Sequence, residues 1–197
     1  MMDRLEQVTS FRYLGALISE DGRCIQDVTG RVVIGKEAFS KRKELLTKSL
    51  DLGIRKRMVK VLVWPAVLSG CETWTMRKEE MDRLKAFEMW VWGRMSEVIW
   101  TDRKMNEEIL GLMGEERNMI RTIWERKRNW IGHIARGDGL MKLELEGRLK
   151  GKRMRGRPTM GMVDDLVEES YGAMKRRTEN RDDWRIWRSR TCPWAVN

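Results

Sequence analysis

The sequence predicts a mainly α-helical chain, a helical bundle preceded by an N-terminal β-hairpin. Three observations carry that class. Proline occurs only 3 times in 197 residues, so long stretches can stay regular. Apolar residues recur at spacings of three and four through the middle of the chain. An alternating apolar pattern with an acidic turn signal stands at the start.

Each element has its own justification. Val8, Phe11, Tyr13 and Leu17-Ile18 alternate, and Glu20-Asp21-Gly22 is a turn signal followed by Arg23-Cys24-Ile25. This reads as two short strands joined by the acidic turn. Asp27 or Thr29 can then cap a helix running to about Lys48, with Val33, Ala38, Leu45 and Leu46 as its apolar positions. Gly30 and Gly35 weaken that helix, each by roughly 1 kcal/mol against alanine. Leu52-Gly53 breaks the chain. Ile54 to Leu68 is apolar nearly all round after its Arg55-Lys56-Arg57 start, which places it in the core. Pro65 is expected to kink it or mark a restart, and Ser69-Gly70 ends it.

Lys78 to Ile99 carries one continuous stripe of Met81, Leu84, Phe87, Val91, Met95 and Val98, with Trp90 and Trp92 off it. Asn106 to Leu112 reads as a short acidic helix that Gly114 terminates. In the helix from Glu115 to Arg136, a step of ~100° per residue gathers Ile120, Ile123, Trp124, Trp130, Ile131 and Ile134 into one arc. Arg117, Arg121 and Arg128 form an adjacent column. Lys127 falls inside the apolar arc, where it must snorkel or find a partner. Leu140 to Leu149 alternates as a strand. Lys150 to Pro158 is a basic extended arm. Met162 to Tyr171 and Asp183 to Arg188 read as short helices, and the chain from Cys192 as a loose end. Core packing is the expected role of most of the ten tryptophans. The expected organisation is a hairpin over 1–26, a helical bundle over 27–114, a basic helix and arm over 115–158, and short acidic helices over 159–197.

Composition bounds the function. The chain carries 40 basic and 30 acidic residues, net +10. Residues 117–158 hold 13 basic against 4 acidic residues, net +9, and residues 159–197 balance at 7 and 7. A surplus concentrated in this way points to a surface that faces polyanions. No apolar run approaches the ~20 residues of a membrane span, and Asp3, Arg4 and Glu6 stand where a secretory signal would be apolar. Cys24, Cys71 and Cys192 are odd in number and far apart, which suits reduced thiols in an intracellular protein rather than a disulfide framework.

The candidate contacts follow from that charge. Arg117, Arg121 and Arg128 offer guanidinium forks that match phosphate oxygens. Lys150, Lys152, Arg153, Arg155 and Arg157 lie on the arm, whose Gly-Arg-Pro also resembles the core of an AT-hook. Phe11 and Tyr13 share one strand face. His133 has no partners at ligand or catalytic spacing, so a polar or phosphate contact is its functional reading, and Arg136 closes the same helix. The expected surface gathers the cations between Arg117 and Pro158 on one outer face. Solvated basic surface and plain hairpin packing are the alternatives for these residues. Nothing in the sequence pairs a nucleophile with a base.

Several short motifs recur in a recognisable order: Phe11-Arg-Tyr-Leu-Gly15, Gly70-Cys-Glu-Thr-Trp74, Trp100-Thr-Asp102 with Asn106-Glu-Glu-Ile-Leu110, Trp130-Ile-Gly-His-Ile-Ala-Arg136, Arg153-Met-Arg-Gly-Arg-Pro158 and Asp164-Asp165. Over roughly residues 8–168 this resembles the C-terminal third of the reverse transcriptase of non-LTR (LINE-like) retrotransposons. The resemblance implies that Phe11 and Tyr13 lie near a primer end, that the helices act as a thumb along a template–product duplex, and that the chain starts after the polymerase aspartates. Ser69 and Gly93 depart from the family pattern, which has tyrosine and a basic residue there. The resemblance further implies RNA–DNA duplex, DNA duplex or structured RNA as partners, together with the palm and fingers of the parent polymerase, and a nuclear location. No cofactor is expected, since the magnesium ions of polymerase chemistry need paired carboxylates and would belong to the missing catalytic core. Asp164-Asp165 follows the basic arm, lacks a strand–turn–strand setting, and reads as a helix cap. The chain is therefore expected to bind nucleic acid without catalysis. Two rival readings stay open: a repurposed DNA- or chromatin-binding module built on the arm, and a helical remnant with an interaction role only.

Overall fold

The computed structural model describes residues 8–13, 15–48, 50–97, 104–146, 161–166 and 170–188. It is mainly helical, with one antiparallel two-stranded hairpin, and its backbone contacts divide into two units. The first comprises Met1–Gly70 and Met76–Met119; the second comprises Cys71–Thr75 and Ile120–Asn197.

The first unit opens with β1 (Ser10–Tyr13) and β2 (Ala16–Ser19), paired with Phe11 opposite Ile18 and Tyr13 opposite Ala16. Gly15, at φ +84°, sits between them. The strands are thus shorter and earlier than the acidic turn implies. That turn follows β2, with Gly22 at φ +63° and Asp21 accepting from Ser19 Oγ at 2.6 Å and from the Arg23 amide at 3.0 Å. These bonds hold the Asp21 carboxyl below its usual range. The turn leads into α1 (Ile25–Ser40). Asp27 is not its cap. It lies buried in the first helical turn, accepts from the Leu17 amide at 2.9 Å and faces Arg31 Nε at 3.9 Å, which ties the hairpin to the helix.

The helix expected to reach Lys48 stops at Ser40, and α2 (Lys43–Thr47) follows. Helix α3 (Leu52–Leu62) begins where a break was expected, because Asp51 accepts from the Gly53 amide at 2.7 Å and caps it. Helix α3 ends at Val63, and α4 (Trp64–Val67) restarts with Pro65 in its first turn, a position that needs no amide donor. The stretch is not wrapped in core: Ile54 and Val61 are 51% and 62% exposed, whereas Val59, Val63 and Trp64 are buried. Arg55 Nη1 donates to Thr47 O at 2.5 Å and to Met95 O at 3.3 Å. One guanidinium therefore satisfies terminal carbonyls of two helices.

Helix α5 (Lys78–Met95) begins where Glu80 accepts from the Arg77 amide at 3.1 Å. Its stripe of Met81, Leu84, Phe87, Val91 and Met95 is buried as the spacing requires; Val98 lies outside the described residues. Trp92 is also buried and meets Trp64 edge-on at 5.4 Å, and Trp90 meets Phe39 at 5.3 Å. Helix α6 (Asn106–Met113) ends on Gly114 at φ +58°. Lys56 Nζ donates to Met113 O at 2.8 Å, and Lys60 pairs with Glu115 at 2.9 Å.

The two glycines of α1 differ in kind. A Cβ at Gly35 would overlap Val67 and Phe87, so glycine there lets α1 approach α4 and α5; a Cβ at Gly30 meets nothing within 4 Å. Gly35→Ala is expected to destabilise the chain by ~1–3 kcal/mol through overpacking. Gly30→Ala should stabilise it by ~0.5–1 kcal/mol through helix propensity. Urea unfolding of the two variants should give shifts of opposite sign. Gly93 is not forced in the same way, since a Cβ there would touch only Ile109 Cδ1 at 3.9 Å.

The second unit is built on α7 (Met119–Arg136), whose first residue belongs to the first unit. It adds the single turn Cys71–Thr73, α8 (Leu140–Leu145), the turns of 162–166, α9 (Tyr171–Glu179) and α10 (Arg181–Arg188). Two expectations fail here. Leu140–Leu145 is helical despite its alternation, capped by the break at Gly139. The helix expected from Met162 is a run of turns, and the helical stretch starts after Ser170, whose hydroxyl accepts from the Ala173 amide at 3.2 Å.

Candidate nucleic-acid interface

The arc on α7 is buried as the wheel predicts: Ile120, Ile123, Trp124, Ile131 and Ile134 are core residues, with Trp130 half-buried. Six of the eight described tryptophans are buried, so packing rather than base stacking occupies them.

The start of α7 is set by Glu88 of α5. Its buried carboxylate accepts from the amides of Asn118 at 2.9 Å and Met119 at 3.2 Å. Burial raises the Glu88 carboxyl above its usual range, and the two amide bonds oppose that rise. The irregular Glu115–Asn118 stretch shows that the helix begins four residues later than its periodicity suggests.

Lys127 does not snorkel. Its ammonium is fully buried and donates to Asp165 at 2.6 and 2.7 Å and to Trp74 O at 2.6 Å. Asp165 is therefore no helix cap, and both its oxygens are engaged by one lysine. Asp164 accepts from the Gly161 amide at 2.5 Å within the turn. Three distant segments meet at one buried cation. A helical wheel marks Lys127 as anomalous, but only the tertiary fold supplies its counter-ion.

The expected arginine column does not form one bare outer face. Arg128 is 2% exposed. Its guanidinium lies between the rings of Trp124 and Trp187, at 4.2 and 4.3 Å, and donates to Trp187 O at 3.4 Å. The core edge extends there because α10 packs on it, which no local periodicity can show. Arg117 is paired with Glu107 at 3.3 Å, and Arg121 lies 3.9 Å from Glu125. Of the expected contacts on α7, Arg121, His133 and Arg136 stand exposed, and Arg136 Nη1 donates to Thr178 O of α9 at 3.2 Å.

Phe11 and Tyr13 share a face of the hairpin with Ile18, and all three are exposed, at 49%, 60% and 46%. Lys150, Lys152, Arg153, Arg155 and Arg157 lie outside the described residues. Cys71 is fully buried, and burial pushes its thiol up to about 12, which makes it inert as a nucleophile near neutral pH. Among the described residues no cluster of three or more histidine, cysteine or acidic side chains could hold a metal, and no helix is long and apolar enough to cross a membrane.

One comparison is informative. The chain is 28% identical over 172 residues to a putative uncharacterized transposon-derived protein of Caenorhabditis elegans. The match takes in 84% of this chain and 62% of that protein. This likeness fits a transposable-element origin. No family model and no solved structure matches the chain.

Proposed function

We propose that the chain is the end of the palm, the thumb and the region beyond the thumb of a non-LTR retrotransposon reverse transcriptase, and that it grips nucleic acid through phosphates without performing polymerisation. The observation that carries the reading is the placement of charge. The second unit holds 19 basic against 12 acidic residues, net +7 of the chain's +10. Support also comes from the exposed aromatic face of the hairpin, where Phe11 and Tyr13 present rings that can stack on bases or sugars, and from the transposon-derived relative. On this reading the catalytic carboxylates and their magnesium ions would belong to the parent polymerase. Its partners on this reading are RNA–DNA or DNA duplex, structured RNA, and the palm and fingers of that polymerase.

Fluorescence anisotropy of the full chain on a DNA duplex and an RNA–DNA hybrid tests the grip. Even three phosphate contacts should weaken binding roughly 40-fold between about 50 and 200 mM salt. Primer extension with magnesium and nucleotides should yield no product. Salt-independent or absent binding, or a product that depends on Asp164 and Asp165, would overturn the reading.

A further inference from the structure

Net charge points away from the helices of the first unit, since residues 51–116 hold 11 basic against 12 acidic residues. The fold nevertheless brings two cations of that unit onto one ring. Trp90 of α5 is one of two half-buried tryptophans among the described residues, Trp130 being the other. Phe39 meets it edge-on at 5.3 Å, and Phe87 stacks on it at 6.0 Å and 18°. Gly35 lets α1 approach α5 here, because a Cβ in its place would overlap Phe87. The indole is therefore fixed from two helices. Lys36 stands one turn before Phe39 on α1, and Arg94 one turn after Trp90 on α5, so the helical repeat carries both toward the same ring. Lys36 Nζ lies 5.5 Å and Arg94 Cζ 5.1 Å from its centroid. The separation of the two charges cannot exceed the sum of those distances, which is of the order of the ~10 Å Debye length at about 0.1 M salt. Both side chains are exposed, and neither makes a hydrogen bond or ion pair among the described residues. Glu37 and Glu97, their nearest acidic neighbours along the chain, form no ion pair with either.

We propose that Lys36 and Arg94, gathered at Trp90, form a phosphate-binding site for the backbone of duplex nucleic acid. The inference rests on the nucleic-acid-binding reading above and adds to it a contact in the first unit. A ring face attracts a cation through its quadrupole and carries no net charge. Each cation therefore keeps its full positive charge and its counterions. A carboxylate would cancel that charge in advance, as Glu107 does for Arg117. Phosphate displaces the counterions, and each such contact contributes about 0.9 to the slope of log affinity against log salt on B-form DNA. Contact with a ring also leaves the ammonium and guanidinium N–H groups without a protein oxygen to donate to, and phosphate oxygens accept from both. Two cations on one platform raise the local potential together. The ring restrains two long side chains whose rotamer freedom would otherwise be lost on binding.

The test uses the full chain and a DNA duplex of random sequence, with anisotropy titrations at several salt concentrations. Lys36→Gln/Arg94→Gln removes two charges that make no described hydrogen bond or ion pair, so the fold should stand, as a thermal melt checks. Its salt slope should fall by about 2, and its affinity at about 100 mM salt by roughly 10- to 100-fold. Lys36→Arg/Arg94→Lys keeps both charges at the ring and should keep the slope within about 0.5. Lys78 and Arg83 are exposed on the same helix, about 24 and 16 Å along the axis from Arg94. Lys78→Gln/Arg83→Gln removes the same net charge there and should lower the slope by less than about 0.5. A wild-type chain whose salt slope is unchanged in Lys36→Gln/Arg94→Gln, or falls as far in Lys78→Gln/Arg83→Gln, would sink the site while leaving the grip standing. A wild-type chain with no salt-dependent binding would remove both.

Discussion

Replacing Lys127 with Met is expected to cost the second unit ~3–5 kcal/mol, because it takes the lysine away from the buried Asp165 carboxylate. Asp165→Leu should cost about as much for the mirror reason. Both side chains are wholly out of water, and the ammonium spends its donors on Asp165 and on Trp74 O. The pair together should behave differently from the sum. Lys127→Met/Asp165→Leu removes both charges and substitutes apolar groups of similar size, so most of the loss should return. A deficit of ~1–2 kcal/mol should remain, because Trp74 O loses this donor in its buried setting. Denaturant unfolding of the four chains gives the coupling directly. Additive single-variant losses would mean that the cation is held by something other than this carboxylate. The same experiment bears on Asp164-Asp165, since it measures how firmly the Asp165 carboxylate is committed to Lys127.

Gly132→Ala is expected to detach α10 from α7. A Cβ at that position would overlap the Trp184 indole at Nε1, Cε2 and Cδ1, and the backbone of a helix cannot yield to it. Trp184 is buried and tilted against Trp187 at 4.6 Å, and Trp187 in turn covers Arg128. Displacing one indole therefore loosens all three. The loss should approach the ~3–5 kcal/mol of truncating a buried tryptophan. It should appear as a fluorescence shift to longer wavelength and as faster proteolysis within Arg181–Arg188. Trp184→Ala in the Gly132→Ala background should add little, because the two changes break the same contact. Full additivity would show that the glycine serves something else.

These two sites show which motif residues are structural. Gly132 sits in Trp130-Ile-Gly-His133, a run that reads from sequence as a functional signature. Its glycine makes room for a tryptophan 52 positions later, and its Ile131 is core. Trp74 of the Gly-Cys-Glu-Thr-Trp run is likewise buried, with its carbonyl on Lys127. His133 and Arg136, by contrast, reach solvent.

Much of the fold was legible because local physics decides it. The stripe of α5, the apolar arc of α7, the glycine end of α6 and the restart at Pro65 depend on helical period, left-handed backbone and a missing amide. Each of these lies within one turn of the residue concerned. Where the reading missed, a competing local signal was misjudged: the acidic turn outranked the connection at Gly15, and Asp51 capped a helix across a glycine that seemed to break it.

The sequence by itself determined that the chain is helical behind a hairpin, that its surplus charge is basic, and that Lys127 needed a partner. Only the tertiary structure decided which cations face solvent unmatched. Arg128 passed into an aromatic sandwich and Arg117 to Glu107, while Arg176 and Arg181, in a segment neutral by count, are exposed with no ion pair among the described residues. Periodicity fixes which side of a helix a residue occupies. Whether its charge survives depends on carboxylates and rings brought in from tens of residues away, and a Coulomb interaction acts over distance in space, indifferent to separation along the chain.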